Sequence, residues 1–242
     1  MDPRRRGCRA GHAGRCAVLT LAIDTSTSAI GVAVLSAGVD PVVGVAVDAR
    51  AHTEKLAPLV RDTLAAAGAT PADLTHLAVG TGPGPFTGLR VGLVTALTLG
   101  HALGIPVHGV CSLDALAEQA LAAAADDVDE VLVATDARRK EVYWARYARG
   151  ADGAVALTEP AVDRPSEVAD AVRALPTAGR GPVLFPDLFP NGLGGPLDVD
   201  PGCLGQVALR RLAAGEPMPV EPLYLRRPDA VAPGPRKPAR TG

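Results

Sequence analysis

Aromatic side chains are scarce in this sequence. Three Phe, three Tyr and one Trp make up 3% of its 242 residues. A core with so few rings must be filled by Leu and Val and by close backbone approach, and Ala and Gly are abundant. Cysteine patterning is missing as well. Cys8, Cys16, Cys111 and Cys203 contain no C-x-x-C pair, which argues against a zinc ribbon and a disulfide scaffold. A reduced, cytoplasmic setting is expected. No apolar run approaches the ~18 residues of a spanning helix, so no membrane role is expected. The Arg-rich start has no apolar h-region before Val18, so it is not expected to act as a secretory signal. It reads as an over-extended start or an expression leftover.

Catalytic signatures are also lacking. There is no G-x-S-x-G elbow. His12, His52, His76, His101 and His108 include no i, i+4 pair that would hold a metal ion from one helix face. Surface or packing roles are expected for all five.

The net charge of −2 is unevenly spread. Residues 1–16 hold five Arg against Asp2. Residues 226–242 hold four Arg and Lys237 against Asp229. Each end is therefore +4, and the body between is −10. An acidic body repels phosphate backbones. The basic ends, 1–16 and 226–242, are expected to be disordered and solubilising.

Periodicity divides the chain. Val18–Ile23, Ile30–Leu35 and Val42–Val47 read as three strands joined by short turns, an antiparallel meander. Leu56, Leu59, Val60, Thr63, Leu64 and Ala67 follow helical spacing closed by Gly68, with Thr53 as N-cap. Leu77–Gly80 is a short strand. Gly82-Pro-Gly-Pro85 is a loop, and a helix runs from Thr87 or Gly88 to about Gly104. Ile105–Val110 returns as a strand, and Ser112 caps a helix to about Ala125. The order β-β-β-α-β-α-β implies a mixed sheet flanked by helices. Further on, Glu130–Thr135 and Val142–Tyr147 read as strands around Asp136-Ala-Arg-Arg139. Ser166–Leu175 reads as a short helix, 182–197 as loop, Gly202–Ala214 as a helix and Pro219–Leu225 as extended chain.

Two stretches carry candidate chemistry. Asp24-Thr25-Ser26 sits between two strands. Such a turn can cradle phosphate while the Asp holds a hydrated metal, or its side chains can simply bond their own backbone. Gly80-Thr-Gly-Pro-Gly-Pro-Phe-Thr-Gly88 precedes a helix N-terminus, which favours anions. It matches neither G-x-G-x-x-G nor a P-loop. It is equally readable as a rigid strand-to-helix connection. The helix that follows is apolar all round after Arg90, so it is buried on more than one side. Its second cover is either another chain or this chain's own second domain.

Several ordered motifs together resemble a known family. They are Leu-Ala-Ile-Asp-Thr-Ser (21–26), His-Thr-Glu-Lys-Leu-Ala-Pro (52–58) and Gly-Pro-Gly-Pro-Phe-Thr-Gly-Leu-Arg-Val-Gly (82–92). Gly-Val-Cys-Ser-Leu-Asp-Ala-Leu-Ala (109–117), Asp-Ala-Arg-Arg-Lys-Glu-Val-Tyr (136–143) and Pro-Leu-Tyr-Leu-Arg (222–226) follow. The chain closely resembles the bacterial TsaB family, also called YeaZ, from about Val18 to Arg226.

That resemblance implies an α/β, two-lobed, actin-like (ribonuclease H-like) ATPase fold. The N-terminal lobe would span 17–111 and a reduced second lobe 112–225, its last helix returning to the first lobe. It implies a non-catalytic dimerisation and scaffold subunit of the complex that forms N6-threonylcarbamoyladenosine at position 37 of tRNAs reading codons that start with A. Its partners would be the catalytic paralogue TsaD and the ATPase TsaE, with tRNA met only through the complex; for the free chain both monomer and homodimer stay open, an exposed apolar helix pair being compatible with self-pairing. No cofactor and no metal are implied. The paralogue's two metal-binding histidines correspond here to Ser112 and Leu116, beside Cys111. Asp24, Thr25, Ser26, Gly82 and Gly84 then read as a degenerate phosphate-loop remnant, and Gly194-Gly195 as a trace of a second one. The partner surface would be carried by Leu56, Leu59, Val60, Leu64, Leu89, Leu93, Ala96, Leu97 and Leu103. The competing reading is a stand-alone nucleotide-dependent transferase or kinase of the same fold.

Overall fold

A computed structural model describes residues 18–48 and 52–226. Cys8, Cys16, His12, the basic start and residues 227–242 lie outside the described residues. In chain order the elements are β1 (Leu19–Asp24), β2 (Ala29–Ser36), β3 (Val39–Val47), α1 (His52–Ala66), β4 (His76–Gly80), α2 (Phe86–Leu103), β5 (Val107–Val110) and α3 (Ser112–Ala123). They continue as β6 (Glu130–Asp136), β7 (Val142–Gly150), β8 (Gly153–Ala156), β9 (Ala161–Asp163), α4 (Asp170–Arg173), β10 (Thr177–Ala178), α5 (Gly181–Leu184) and α6 (Pro201–Ala214).

The first sheet has the order β3-β2-β1-β4-β5. The meander is antiparallel, with Leu19 opposite Ser36 and Asp24 opposite Gly31, and β4 and β5 join in parallel. β1 is buried on both faces because its alternation serves two layers. Leu21 and Ile23 point to α1 and α2, where they join Ile30, Val32, Leu77 and Val79 in one apolar cluster. Ala22 points the other way, and in register with Ala33 and Ala78 it forms a row of small side chains. α6 lies on that row. A Cβ at Gly205 would come within 2.4 Å of Leu35 and 3.1 Å of Ala22. The Ala and Gly content is thus spent on close helix-to-sheet approach.

The second sheet runs β10-β6-β7-β8, with β9 also on β7. α3 lies between this sheet and α6, and one cluster joins Leu113 and Leu116 of α3, Val131 and Tyr147 of the sheet, and Leu204 and Val207 of α6. After α6 the chain crosses back along β5. Gly109 N–H donates to the Met218 carbonyl at 3.1 Å, and Leu223 N–H to that of Thr81 at 2.9 Å.

Several local expectations change. α1 begins at His52, so Thr53 lies inside the helix rather than at its N-cap. Cys111 takes the N-cap place before α3, and Ser112 is the first helical residue. Residues 166–175 are not one helix. A 3-10 turn at Pro165–Glu167 is followed by extended Val168, buried at 3% exposure, and only then by the single turn α4. Contrary to the expectation about apolar runs, α2 is by length and composition apolar enough to cross a membrane, with a third of it buried.

Candidate functional site

The turn after β1 closes on itself. Asp24 Oδ1 accepts from Ser26 N–H at 2.9 Å and from Ser26 Oγ at 2.8 Å. Its Oδ2 accepts from Ser112 Oγ at 2.6 Å, and that hydroxyl accepts from Gly82 N–H at 3.2 Å. Both carboxylate oxygens are therefore engaged by the chain's own donors, and Asp24 is 1% exposed. Burial pushes the Asp24 carboxyl above its ordinary 3.8; the bonds from Ser112 and Ser26 work against that shift, and nearby Asp198 adds to it.

Thr25 is inserted into α2. Its Oγ1 donates to the Gly88 carbonyl at 2.8 Å and accepts from Gly92 N–H at 3.1 Å, bridging one turn of the helix. The glycines allow this approach. A Cβ at Gly84 would sit 2.5 Å from the Ser26 carbonyl oxygen, and one at Gly88 2.8 Å from that of Thr25. At Gly80 it would meet Asp24 Oδ2 at 1.9 Å. The glycine-rich stretch admits this chain's own turn to its backbone. Gly82 alone of the loop takes positive φ, at 90°.

Across from the turn, the lobes meet. Arg180 Nε reaches Asp198 Oδ1 at 2.9 Å and a second bond makes the pair bidentate. The space enclosed by Ser26, Thr27, Ser28, Thr135, Asp136, Arg138 and Arg180 is about 10 Å³. That holds at most one water, against the ~300 Å³ or more of a typical ligand pocket.

In front of this closed seam a cleft of about 330 Å³ opens, lined by Gly84–Phe86, Ala137–Arg139, Tyr143 and Tyr224–Arg226. Its floor is an unusual hairpin. Arg138, Arg139 and Lys140 all have left-handed backbone, φ 62°, 53° and 64°, which costs ~1–2 kcal/mol per non-glycine residue. Asp136 holds the turn by accepting Arg138 N–H at 2.7 Å and pairing with its guanidinium at 3.0 Å. Ala137 N–H donates to the Glu141 carbonyl at 3.1 Å, and Glu141 pairs with Arg226. Tyr143 Oη donates to the Gly84 carbonyl at 3.4 Å, tying the hairpin to the glycine loop.

The residues expected at a partner surface separate into two groups. Leu56, Val60, Leu64, Leu89, Leu93 and Ala96 are in the N-lobe core, and Leu59 and Leu103 pack half-buried against it. Of the nine, only Leu97 is exposed, at 46%. Helical spacing marks an apolar face, and here that face is the one turned to β1, β2 and β4. The apolar side chains that α2 presents outward are Phe86, Val94 and Leu97. Between α1 and α2 lies an apolar groove of about 490 Å³, bounded by Thr53, Ala57, Phe86, Val91 and Val94.

Ser112 and Leu116 lie one turn apart on α3. Ser112 is bonded to Asp24 and Leu116 is wholly buried in the inter-sheet core. Among the described residues no cluster of three His, Cys, Asp or Glu side chains has metal-binding geometry. His76 and His108 stack at 5.4 Å across β4 and β5, a pair that helix-based spacing could not find. Gly194 and Gly195 line a separate cleft with α3 residues Gln119, Ala120 and Ala123, away from Asp24. The hydroxyl of Ser112 was equally hidden: its 88-residue separation from Asp24 leaves no local signal.

The sequence model of the family described as "TsaD: tRNA N6-adenosine threonylcarbamoyltransferase" matches residues 33–182. An uncharacterised protein of Mycobacterium tuberculosis (strain ATCC 25618 / H37Rv) is 46% identical over 216 residues, 87% of this chain and 92% of that one. The tRNA threonylcarbamoyladenosine biosynthesis protein TsaB of Escherichia coli (strain K12) is 37% identical over 179 residues, 69% of this chain and 74% of that one. Among solved structures, YeaZ from Pseudomonas aeruginosa superposes with a TM-score of 0.74 at 33% identity, covering 86% of this chain and all of the other.

Proposed function

The chain belongs to the TsaB (YeaZ) family, and on that premise we propose that it is the non-catalytic scaffold subunit of the complex that makes N6-threonylcarbamoyladenosine in tRNA. The observation that carries this reading is the burial of Asp24, which is 1% exposed at the turn where a nucleotide-dependent enzyme of this fold would need a free carboxylate. The carboxylate that would hold a hydrated metal instead accepts from Ser26 and Ser112. Electrostatic stabilisation of a transferring group would then have to come from groups other than this carboxylate.

The partner is the catalytic paralogue TsaD, joined by the ATPase TsaE, and tRNA is met through them. The docking surface is the outward side of α2 with the groove beside α1. Val94 and Leu97 are 59% and 46% exposed there. Burying Leu97 is worth ~1.5–3 kcal/mol. A second copy of the chain would use the same face when TsaD is absent.

The test is co-purification of Leu97→Asp with the TsaD of the same genome. Leu97 is exposed, so folding survives. The expected loss of affinity is roughly tenfold or more. Undiminished binding by the folded variant would remove α2 from the interface.

A further inference from the structure

Two histidines share one face of the first sheet. Leu77 and Val79 of β4 turn to α2, and Ala78 turns to α6. His76 stands on the same side as Ala78, and His108 of β5 is the register partner of Ala78. The two rings stack at 5.4 Å with 22° between their planes. Thr75 Oγ1 donates to the Leu19 carbonyl at 3.1 Å, so it accepts from His76 Nδ1 at 3.0 Å. Neutral His76 therefore carries its proton on Nδ1. His108 Nε2 is buried and has no hydrogen-bond partner among the described residues. A neutral ring meets that place with a lone pair, whereas a charged ring would bury an N–H without an acceptor. Beside His108 the strap of residues 215–226 is fastened. Gly109 N–H donates to the Met218 carbonyl at 3.1 Å, and a Cβ at Gly109 would stand 2.1 Å from the Pro219 oxygen. Further on, Leu223 N–H donates to the Thr81 carbonyl at 2.9 Å, and Tyr224 stacks on Phe86 at 5.2 Å.

We propose that the stacked histidines are an acid-operated latch: protonation of His108 frees the strap from β5 and draws Tyr224 away from Phe86. The latch stands apart from the scaffold reading, although its effect reaches the same surface, because Phe86 bounds the α1–α2 groove. The closed site has nothing to receive the new charge. His76 faces it and repels it once charged itself. β4 and β5 hold no charged residue besides these histidines, and Asp24 of β1 lies at the far end of that strand from Thr20, the register partner of His76. Asp73, just before β4, is bonded to Thr70. On α6, Arg210 pairs with Glu118 at 2.9 Å and Arg211 with Asp114 at 2.7 Å. On the strap, Glu216 lies 3.7 Å from Arg211 and Glu221 is exposed. α2, with Arg90 and His101, covers the opposite face. Burial and the neighbouring His76 hold the His108 imidazole below its ordinary 6.5. Stability of the fastened form is therefore fully present above 6.5 and is lost as pH falls through the lower folded value.

The test is amide hydrogen exchange of the full chain at pH about 7.5 and about 5.5, read as protection factors so that the intrinsic pH dependence of exchange is removed. The reporters are the Gly109 and Leu223 amides, whose bonds to Met218 and Thr81 fasten the strap. The amides of β1, at the centre of the sheet, are the reference. His108→Phe keeps a ring in the stack and cannot titrate. In the wild type, protection at both reporters is expected to fall several-fold and at most roughly tenfold, because only the opened form takes up a proton one unit below 6.5. β1 is expected to keep its protection, and His108→Phe to show no fall. An equal fall in both proteins, no fall in the wild type, or a parallel loss in β1 would overturn the latch. Should His108→Phe fail to fold, His108→Gln serves as the variant that cannot titrate, with the same outcomes.

Discussion

Asp24 is a carboxyl group in a place that gives its charged form no water. Three donors from Ser26 and Ser112 offset the burial without abolishing it, so its proton is held more tightly in the folded than in the unfolded chain. The linkage sign follows. Stability from the protonated carboxyl is fully present below the unfolded value of 3.8 and is lost as pH rises through the higher folded value. Asn at this position cannot ionise. Its Oδ1 can still accept from Ser26, and the Ser112 hydroxyl can turn to accept from its Nδ2. Urea unfolding of Asp24→Asn should therefore gain on the wild type as pH rises from about 4 to about 7. A difference between the two that stays constant over that window would contradict the assignment. The composition of this site was legible: Asp24, Thr25 and Ser26 stood out in the sequence, with self-bonding as one of two readings. Its completion was not, because Ser112 arrives from another element. Nor was the left-handed run at Arg138–Lys140, since no glycine or asparagine marks it.

At the scale of elements, α2 is fixed by what its glycines admit. Alanine is the better helix former by ~1 kcal/mol in an exposed helix, so propensity alone would make Gly88→Ala stabilising. Its Cβ would stand 2.8 Å from the Thr25 carbonyl oxygen, a backbone atom that cannot swing aside. Overpacking of this kind costs ~1–3 kcal/mol. Gly88→Ala should lower the urea midpoint, and a raised midpoint would show that the turn yields easily. The order β-β-β-α-β-α-β was readable because strand and helix periods are long and clean in the first lobe. Beyond residue 150 the elements are two to four residues long until α6, too short for any period to register. The all-apolar α2 set a different limit. Its pattern identified burial, but a helix apolar on every side does not say which face the sheet takes. The sheet takes Leu89, Leu93 and Ala96, leaving Val94 and Leu97 outside.

For the whole molecule, the two sheets and the helices α3 and α6 between them share one core, and the strap after α6 returns to β5 and reaches Phe86 through Tyr224. Ser26 of the first lobe and Arg138 and Arg180 of the second line one small space where the lobes meet, while the groove beside α1 and the larger cleft adjoin at Phe86. On the proposed scaffold reading, function should depend on the outward surface of α2 and not on the Asp24–Ser26 turn. The most direct measurement is threonylcarbamoyl transfer to tRNA by the reconstituted complex, comparing Asp24→Asn with Leu97→Asp. The account predicts a rate within about twofold of wild type for Asp24→Asn and a loss of tenfold or more for Leu97→Asp at limiting subunit concentration, roughly the 1.4 kcal/mol or more of lost docking. A folded Asp24→Asn complex that assembles normally yet fails to turn over, with Leu97→Asp fully active, would contradict it.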